Sequence, residues 1–308
     1  VFMAGGVPEV MLHLRDMGLL HLDIPTVSGR TVGENLEWWE HSQARRIARQ
    51  RLRELDGVDP GNVIMGPDAA RAAGLTSALV FPVGNLAPDG SVIKATSIDP
   101  SVVDADNVYR HTGRARVFAS EHEAIAAIKA RGESAVVAGD IVVLAGCGPA
   151  GTGMEETYQL TSALKYLPWG KHVPVLTDAR FSGVSTGACI GHVGPEALAG
   201  GPIGRLRDGD LVRIVIDRNT LQGSIDFIGT DQANALSPEE GAKVLASRPV
   251  HPAIAPHPKL PADTRLWAAL QEASGGTWGG CVYDVDAIVE TLRAGREALA
   301  QRRAATEG

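Results

Sequence analysis

From about Leu79 onward the chain is a succession of short β-prone runs broken by Gly, Pro and Asp, and this pattern sets the fold class. Ala115 to Phe118, Ile141 to Ala145, Val173 to Thr177 and Leu211 to Ile216 read as strands, several alternating as strands with one buried face do. The 36 glycines and 18 prolines are spread between the hydrophobic runs rather than gathered in tracts, so they mark many tight turns. Ser120-Glu121-His122-Glu123 is a capping box opening a helix with Ala124, Ile125 and Ile128 inward. Ser237-Pro238-Glu239-Glu240 is another, with proline at the first helical position, and a closing helix follows Asp284 through Ile288, Val289 and Leu292. The segment reads as a strand-rich domain with peripheral helices.

The preceding residues have a different character. Val7, Val10, Met11 and Leu14 fall at helical spacing and Gly18 stands where the helix should stop. A second helix is predicted over Gly33 to Leu55, with Trp38 and Trp39 and then a run of Arg45, Arg46, Arg49, Arg51 and Arg53 read as a solvated face. This α/β tail is expected to occupy residues 1–77, with a linker over Asp68 to Ser77 and the strand-rich domain over 78–308. A chain opening inside a helix is expected to be the later part of a longer polypeptide.

With 44% hydrophobic and 21% charged residues the chain can fill a core and is not disordered. Its 29 basic against 36 acidic residues, net −7, argue against a sequence-independent grip on nucleic acid or an anionic membrane. No apolar run reaches a membrane span of roughly 18 residues, and a cytoplasmic location is expected. Cys147, Cys189 and Cys281 lack metal-ligand spacing and are read as structural, in keeping with a reducing compartment.

Two motifs suggest other chemistry and fail on context. Gly146-Cys147-Gly148-Pro149-Ala150-Gly151 has the dinucleotide-binding form after a strand, but Thr152-Gly153-Met154 is expected to delay any helix to about Glu155, whereas that fingerprint must itself open the helix. Gly183-Val184-Ser185-Thr186-Gly187 has the form of a hydrolase nucleophile elbow, but Asp178 to Gly183 separate it from the strand that should end at its serine.

Read together, Gly148-Pro149-Ala150-Gly151-Thr152-Gly153-Met154-Glu155-Glu156, Leu176 through Gly183, Ile190 through Ala197 and Gly200-Gly201-Pro202-Ile203 resemble the dihydroxy-acid and sugar-acid dehydratase family. Gly5-Gly6-Val7-Pro8, Thr31 through Leu36 and Gly84 through Pro88 extend the resemblance over most of the chain. The tail Ser274 through Asp284, and Pro261 through Trp267 before it, resemble the D-xylonate dehydratase branch.

The resemblance implies a β-barrel-like C-terminal domain preceded by the end of an α/β domain that bears an iron-sulfur cluster, [2Fe-2S] or [4Fe-4S], whose cysteine ligands lie outside this chain. It implies Mg²⁺ as a second cofactor, with the active site between the two domains. The reaction implied is dehydration of a sugar acid, D-xylonate or a related aldonate, to the 2-keto-3-deoxy acid. Dehydration of a branched-chain dihydroxy acid for amino-acid synthesis, and a non-catalytic half-subunit or sugar-acid-binding module, stay open as alternatives. Glu156 matches the family's Mg²⁺ ligand, with Glu155 as its rival, and a carboxylate suits a hard cation. Either glutamate also fits the first turn of a helix. Ser182 matches the family's serine base, against the plainer role of a helix cap. Ser185 and Thr186 read as caps, Asp178 and Arg180 as a pair shaping a loop, and His192 as a satisfied core residue. Family members are homodimers or homotetramers, and the Trp38-Trp39 helix is a candidate interface. This chain alone is expected to be inactive.

Overall fold

The structure, a computed structural model, describes residues 1–73, 75, 78–182, 185, 187–277 and 281–306. The chain divides into two compact units, Val1–Thr76 and Ser77–Gly308.

The first unit is built from α1 (Gly6–Asp16), α2 (Val32–His41), α3 (Gln43–Asp56), α4 (Pro60–Val63) and α5 (Pro67–Ala72), with an isolated bridge between Pro25 and Thr31. Gly18 closes α1 at φ +71°: its N–H donates to the Arg15 carbonyl, and that of Leu19 to Leu14. That is the Schellman pattern, which needs the left-handed conformation glycine takes without strain. The single helix predicted over Gly33 to Leu55 is two helices. Ser42 turns extended, its hydroxyl accepts from Arg45 N at 3.1 Å to cap α3, and it donates to the Trp39 carbonyl at 2.8 Å to finish α2. A serine that bonds the backbone on both sides competes with the continuous helix and wins. The arginine run is also not wholly solvated. Arg45 and Arg49 reach Glu9 at 2.7 and 2.8 Å, and Glu9 is only 4% exposed. Burial works against the Glu9 carboxylate, but the two guanidiniums outweigh it and hold its pKa below the ordinary value. The start of the expected linker, Asp68 to Ala72, lies within α5.

The second unit contains β1 (Leu79–Val80), β2 (Gly90–Lys94), β3 (Val108–Phe118), α6 (Glu121–Lys129), β4 (Ile141–Leu144), α7 (Pro149–Thr152), β5 (Glu156–Thr157), α8 (Gln159–Lys165), β6 (Val175–Thr177), β7 (Arg180–Phe181), β8 (Cys189–Gly194), β9 (Leu211–Asp217), β10 (Gln222–Phe227), α9 (Pro238–Ser247), α10 (Ala262–Ala273) and α11 (Val285–Thr306). Eight strands form one sheet in the order β1-β2-β8-β6-β4-β3-β9-β10. Its two edges meet: Val83, just past β1, bridges to Ser224 in β10, and the Asn85 side chain exchanges hydrogen bonds with Phe227 N and O at 2.7 and 2.9 Å. The sheet is thus a nearly closed barrel with helices around it.

Alternation along the strands separates two cores. Ile141 and Val143 of β4 point into the barrel with Tyr109, Leu176, Ile190, Ile214 and Phe227. Val142 and Leu144 point outward, against Ala124 and Ile128 of α6 and Leu160 and Leu164 of α8. β3 serves both halves of the barrel: Val108–Arg114 pair antiparallel with β9, and Ala115–Phe118 pair parallel with β4. At the changeover a Cβ on Gly113 would lie 2.0 Å from the Gly139 carbonyl oxygen, so only glycine fits. β3, β4, β6 and β8 run parallel, which sends the loops after β4, β6 and β8 to one rim. In parallel sheets ligands gather at that carboxyl end.

Candidate functional site

The rim is organised by Asp178, the residue directly after β6. Its carboxylate accepts from Gly146 N and Cys147 N of the loop after β4, both at 3.0 Å, and from Ala197 N of the loop after β8 at 2.9 Å. Asp178 is 1% exposed, and burial pushes its pKa up against the pull of those three donors. It does not pair with Arg180, as the sequence suggested. Each shapes a loop by its own bonds to backbone, and Arg180 Nε donates to the Met154 carbonyl at 3.0 Å.

The glycine-rich loop opens a helix at once, at Pro149 rather than near Glu155, but α7 lasts one turn. Gly153, left-handed at φ +77°, ends it, and the chain then turns into β5. Glu155 and Glu156 are therefore not in the first turn of a helix. β5 and β7 form a small parallel ladder in which Glu156 pairs with Arg180 and Thr157 with Phe181.

Paired residues share a face and successive residues alternate, so this ladder sorts its side chains. Thr157, fully buried, and Phe181 face inward; Phe181 packs on the second core and lies 3.0 Å from where a Cβ at Gly191 would be. Glu156 and Arg180 face outward and are exposed; Ser182, half-buried, directly follows the end of β7. The ladder thus brings Glu156 opposite Arg180, two residues before Ser182. Ser185 is buried with its hydroxyl 3.3 Å from that of Thr161; Thr186 and the rest of the elbow-like motif, Gly183 and Val184, lie outside the described residues.

Glu155 lies just before the ladder and is exposed as well. Partial burial and the Glu121 carboxylate raise its pKa, while His257 and the Cys147 thiol moderate the rise. Cys147 lies in the second core and Cys189 in β8, both with thiol pKa values raised by burial; Cys281 is exposed. Among the described residues no three His, Cys, Asp or Glu side chains stand together as a metal site.

His192 is not a core residue. It is exposed, left-handed at φ +52°, and its N–H donates to the Ala179 carbonyl at 2.7 Å. Local desolvation and then the Arg180 charge lower the pKa of its ring. It lines a cleft of about 730 Å³ together with Met154, Glu196 and Gln271. Glu196, missed in the sequence, accepts from Ala150 N at 3.0 Å, and burial followed by the nearby charges of Asp178 and Glu272 pushes its pKa up to about 7. An acid just after proline in an otherwise apolar stretch was the only signal for it.

The profile of the dihydroxy-acid/6-phosphogluconate dehydratase C-terminal domain matches residues 67–248. D-xylonate dehydratase YagF of Escherichia coli (strain K12) is 66% identical over 298 residues, covering 97% of this chain and 45% of the relative. D-xylonate dehydratase YjhG of the same organism is 59% identical over 293 residues, 95% of this chain and 44% of that protein. A dihydroxy-acid dehydratase of Clavibacter michiganensis subsp. michiganensis (strain NCPPB 382) is 39% identical over 257 residues, 83% of this chain and 40% of the relative. The chain spans a little under half the length of these relatives, 40 to 45%. It belongs to the dihydroxy-acid/6-phosphogluconate dehydratase family and carries that family's C-terminal domain.

Proposed function

We propose that this chain is the C-terminal portion of a sugar-acid dehydratase, a hydro-lyase that converts D-xylonate or a closely related aldonate to the 2-keto-3-deoxy acid. The observation that supports the reading is the β5–β7 ladder, in which Glu156 pairs with Arg180, two residues before Ser182. The choice of aldonate rests on 66% and 59% identity to proteins named D-xylonate dehydratase, against 39% to a dihydroxy-acid dehydratase.

In this reading Ser182, as its alkoxide, takes the proton from C2 while the C3–O bond breaks and the C2=C3 double bond forms; the departing hydroxide takes up that proton as water, and the resulting enol tautomerises to the keto acid. Glu156 suits Mg²⁺: it is an exposed, hard oxygen donor facing away from the core. The cation supplies Lewis-acid polarisation of the bound acid. Glu155, whose pKa is raised by partial burial and by the Glu121 carboxylate, is the rival ligand. The three cysteines do not suit an iron-sulfur cluster, since Cys147 is buried and Cys189 partly so, both with thiol pKa values raised by desolvation, and the third is exposed elsewhere. A cluster would take its ligands from an N-terminal domain, and the proposed enzyme is a cytoplasmic homodimer or homotetramer that is inactive without that domain. Among the described residues no helix is long and apolar enough to cross a membrane.

The test is turnover of a substrate panel by the whole protein carrying this chain. D-xylonate should be dehydrated in preference to 2,3-dihydroxyisovalerate. The reverse preference would replace this reading with the branched-chain one.

A further inference from the structure

The cleft next to the ladder contains a polar side chain that the reading above does not use. Gln271, in α10, is 1% exposed and lines this cleft of about 730 Å³. Its Nε2 donates to the Cys281 carbonyl at 3.3 Å, while its Oε1, also buried, has no hydrogen-bond partner among the described residues. A buried acceptor left unpaired carries the full cost of its lost hydration, so a donor brought in by a ligand is favoured there. Glu196, on the same cleft, shares the Ala150 N–H between both its oxygens at 3.0 Å, and a carboxyl group used in this way keeps lone pairs for a second donor. The described residues lining the cleft include no Lys or Arg, and Asp89, Glu196 and Glu272 among them are acidic. Such a lining repels an anionic group and suits a neutral one rich in O–H donors. The cleft adjoins the ladder, since His192 N–H bonds the Ala179 carbonyl and the Met154 carbonyl accepts from Arg180 Nε.

We infer that this cleft receives the hydroxylated tail of the sugar acid, its C4 and C5 hydroxyls, and that Gln271 Oε1 accepts a hydrogen bond from one of them and so sets substrate specificity. This rests on the sugar-acid reading and deepens it: the carboxylate end stays with the cation at Glu156, two residues along the chain from Met154, and the neutral tail takes the acidic cleft. An aliphatic tail in the same place would leave the buried acceptor unpaired, and sites that hydrogen-bond a substrate hydroxyl reject analogues without it for that reason. The position of Gln271 in the chain agrees with such a role. Met154, His192 and Glu196 lie within residues 67–248, which the family profile matches, and Gln271 lies beyond them. The cleft thus joins a wall that the family shares to a wall from a segment outside the shared domain, where members acting on different acids have room to differ.

The test uses the whole protein and compares kcat/KM for D-xylonate with that for 2,3-dihydroxypentanoate of the same C2 and C3 configuration, which lacks only the two tail hydroxyls. The unmutated protein should favour D-xylonate by at least about tenfold. Gln271→Met, close in size but a weak acceptor, should lower kcat/KM for D-xylonate by about tenfold and leave that for the dideoxy acid unchanged or raised, so that the preference narrows. Equal loss for the two substrates overturns the inference, because that is the mark of α10 shifting once the bond to the Cys281 carbonyl is gone. Undiminished use of D-xylonate by Gln271→Met also overturns it. So does equal use of the two acids by the unmutated protein, a comparison that needs no variant to fold. With D-xylonate turned over, any of these results removes the inference alone; if the unmutated protein does not dehydrate D-xylonate, the sugar-acid reading falls and the inference with it.

Discussion

At one rim of the barrel, the loop roots around Asp178 and the outward face of the β5–β7 ladder treat their carboxylates in opposite ways. Asp178 is buried and spends its oxygens on three backbone N–H groups from two other loops. Glu156 is exposed and, among the described residues, makes no side-chain hydrogen bond or ion pair. A saturated carboxylate is an architectural part, since its lone pairs are committed and a ligand would have to break the loops apart. An unsaturated one on a fixed ladder is available for chemistry. The comparison separates acids that hold the site from acids that work in it.

The largest effect should come from breaking the closed region. Asp178→Ala leaves three buried donors without an acceptor, and at about 1–3 kcal/mol for each orphaned group the domain should lose roughly 3 kcal/mol or more. Thermal or denaturant unfolding measures this. A loss under about 1 kcal/mol would show that the loops do not depend on the bracket.

Next in size is Ser182→Ala. A serine that takes the C2 proton should cost at least ~10² in kcat, with melting temperature near the parent value. Solvent exchange of the C2 hydrogen should disappear with turnover. A variant keeping more than about a tenth of parental kcat would remove Ser182 from the role of base.

The two regions also differ in how legible they were. The capping residues Ser120, Ser237 and Asp284 announced α6, α9 and α11 because a cap is a local bond between neighbours in sequence. The β-prone runs announced β4, β6, β9 and the end of β3, whose first part, Val108–Arg114, was not read. β8 escaped because Cys189-Ile190-Gly191-His192-Val193-Gly194 has little bulk, its glycine being required where Phe181 packs close. The ladder escaped too, since strands of two residues have no period to read. The family resemblance brought Glu156 and Ser182 to notice, but the pairing of Glu156 with Arg180 is one that no local pattern encodes. Ser42, which divides the first unit's expected helix, was legible in principle as an N-cap and was masked by the helical residues around it.

A third prediction sharpens the boundary between the regions through Glu196, which sits at the cleft wall with its pKa pushed up from 4.5 to about 7. Between these values the unfolded chain has released the proton and the folded chain still holds it, so this group's contribution to stability falls as pH rises and levels off above the upper value. Glu196→Gln does not titrate and keeps an acceptor for Ala150 N–H. Relative to the parent it should gain up to roughly 2 kcal/mol between about pH 5 and pH 8, after allowance for partial exposure of the site. Parallel stability curves for the two proteins would place the carboxylate in solvent.

The central claim is that Glu156, held in the ladder opposite Arg180, and not Glu155 just before it, is the glutamate that works. The direct measurement is a Mg²⁺ titration of Glu155→Gln and Glu156→Gln in the whole protein, following both activity and bound metal. Glu156→Gln should raise the Mg²⁺ requirement by about tenfold or more, because a neutral amide is a weak ligand for a hard cation, while Glu155→Gln stays near the parent. Equal titrations for the two variants, or the larger shift in Glu155→Gln, would contradict the account.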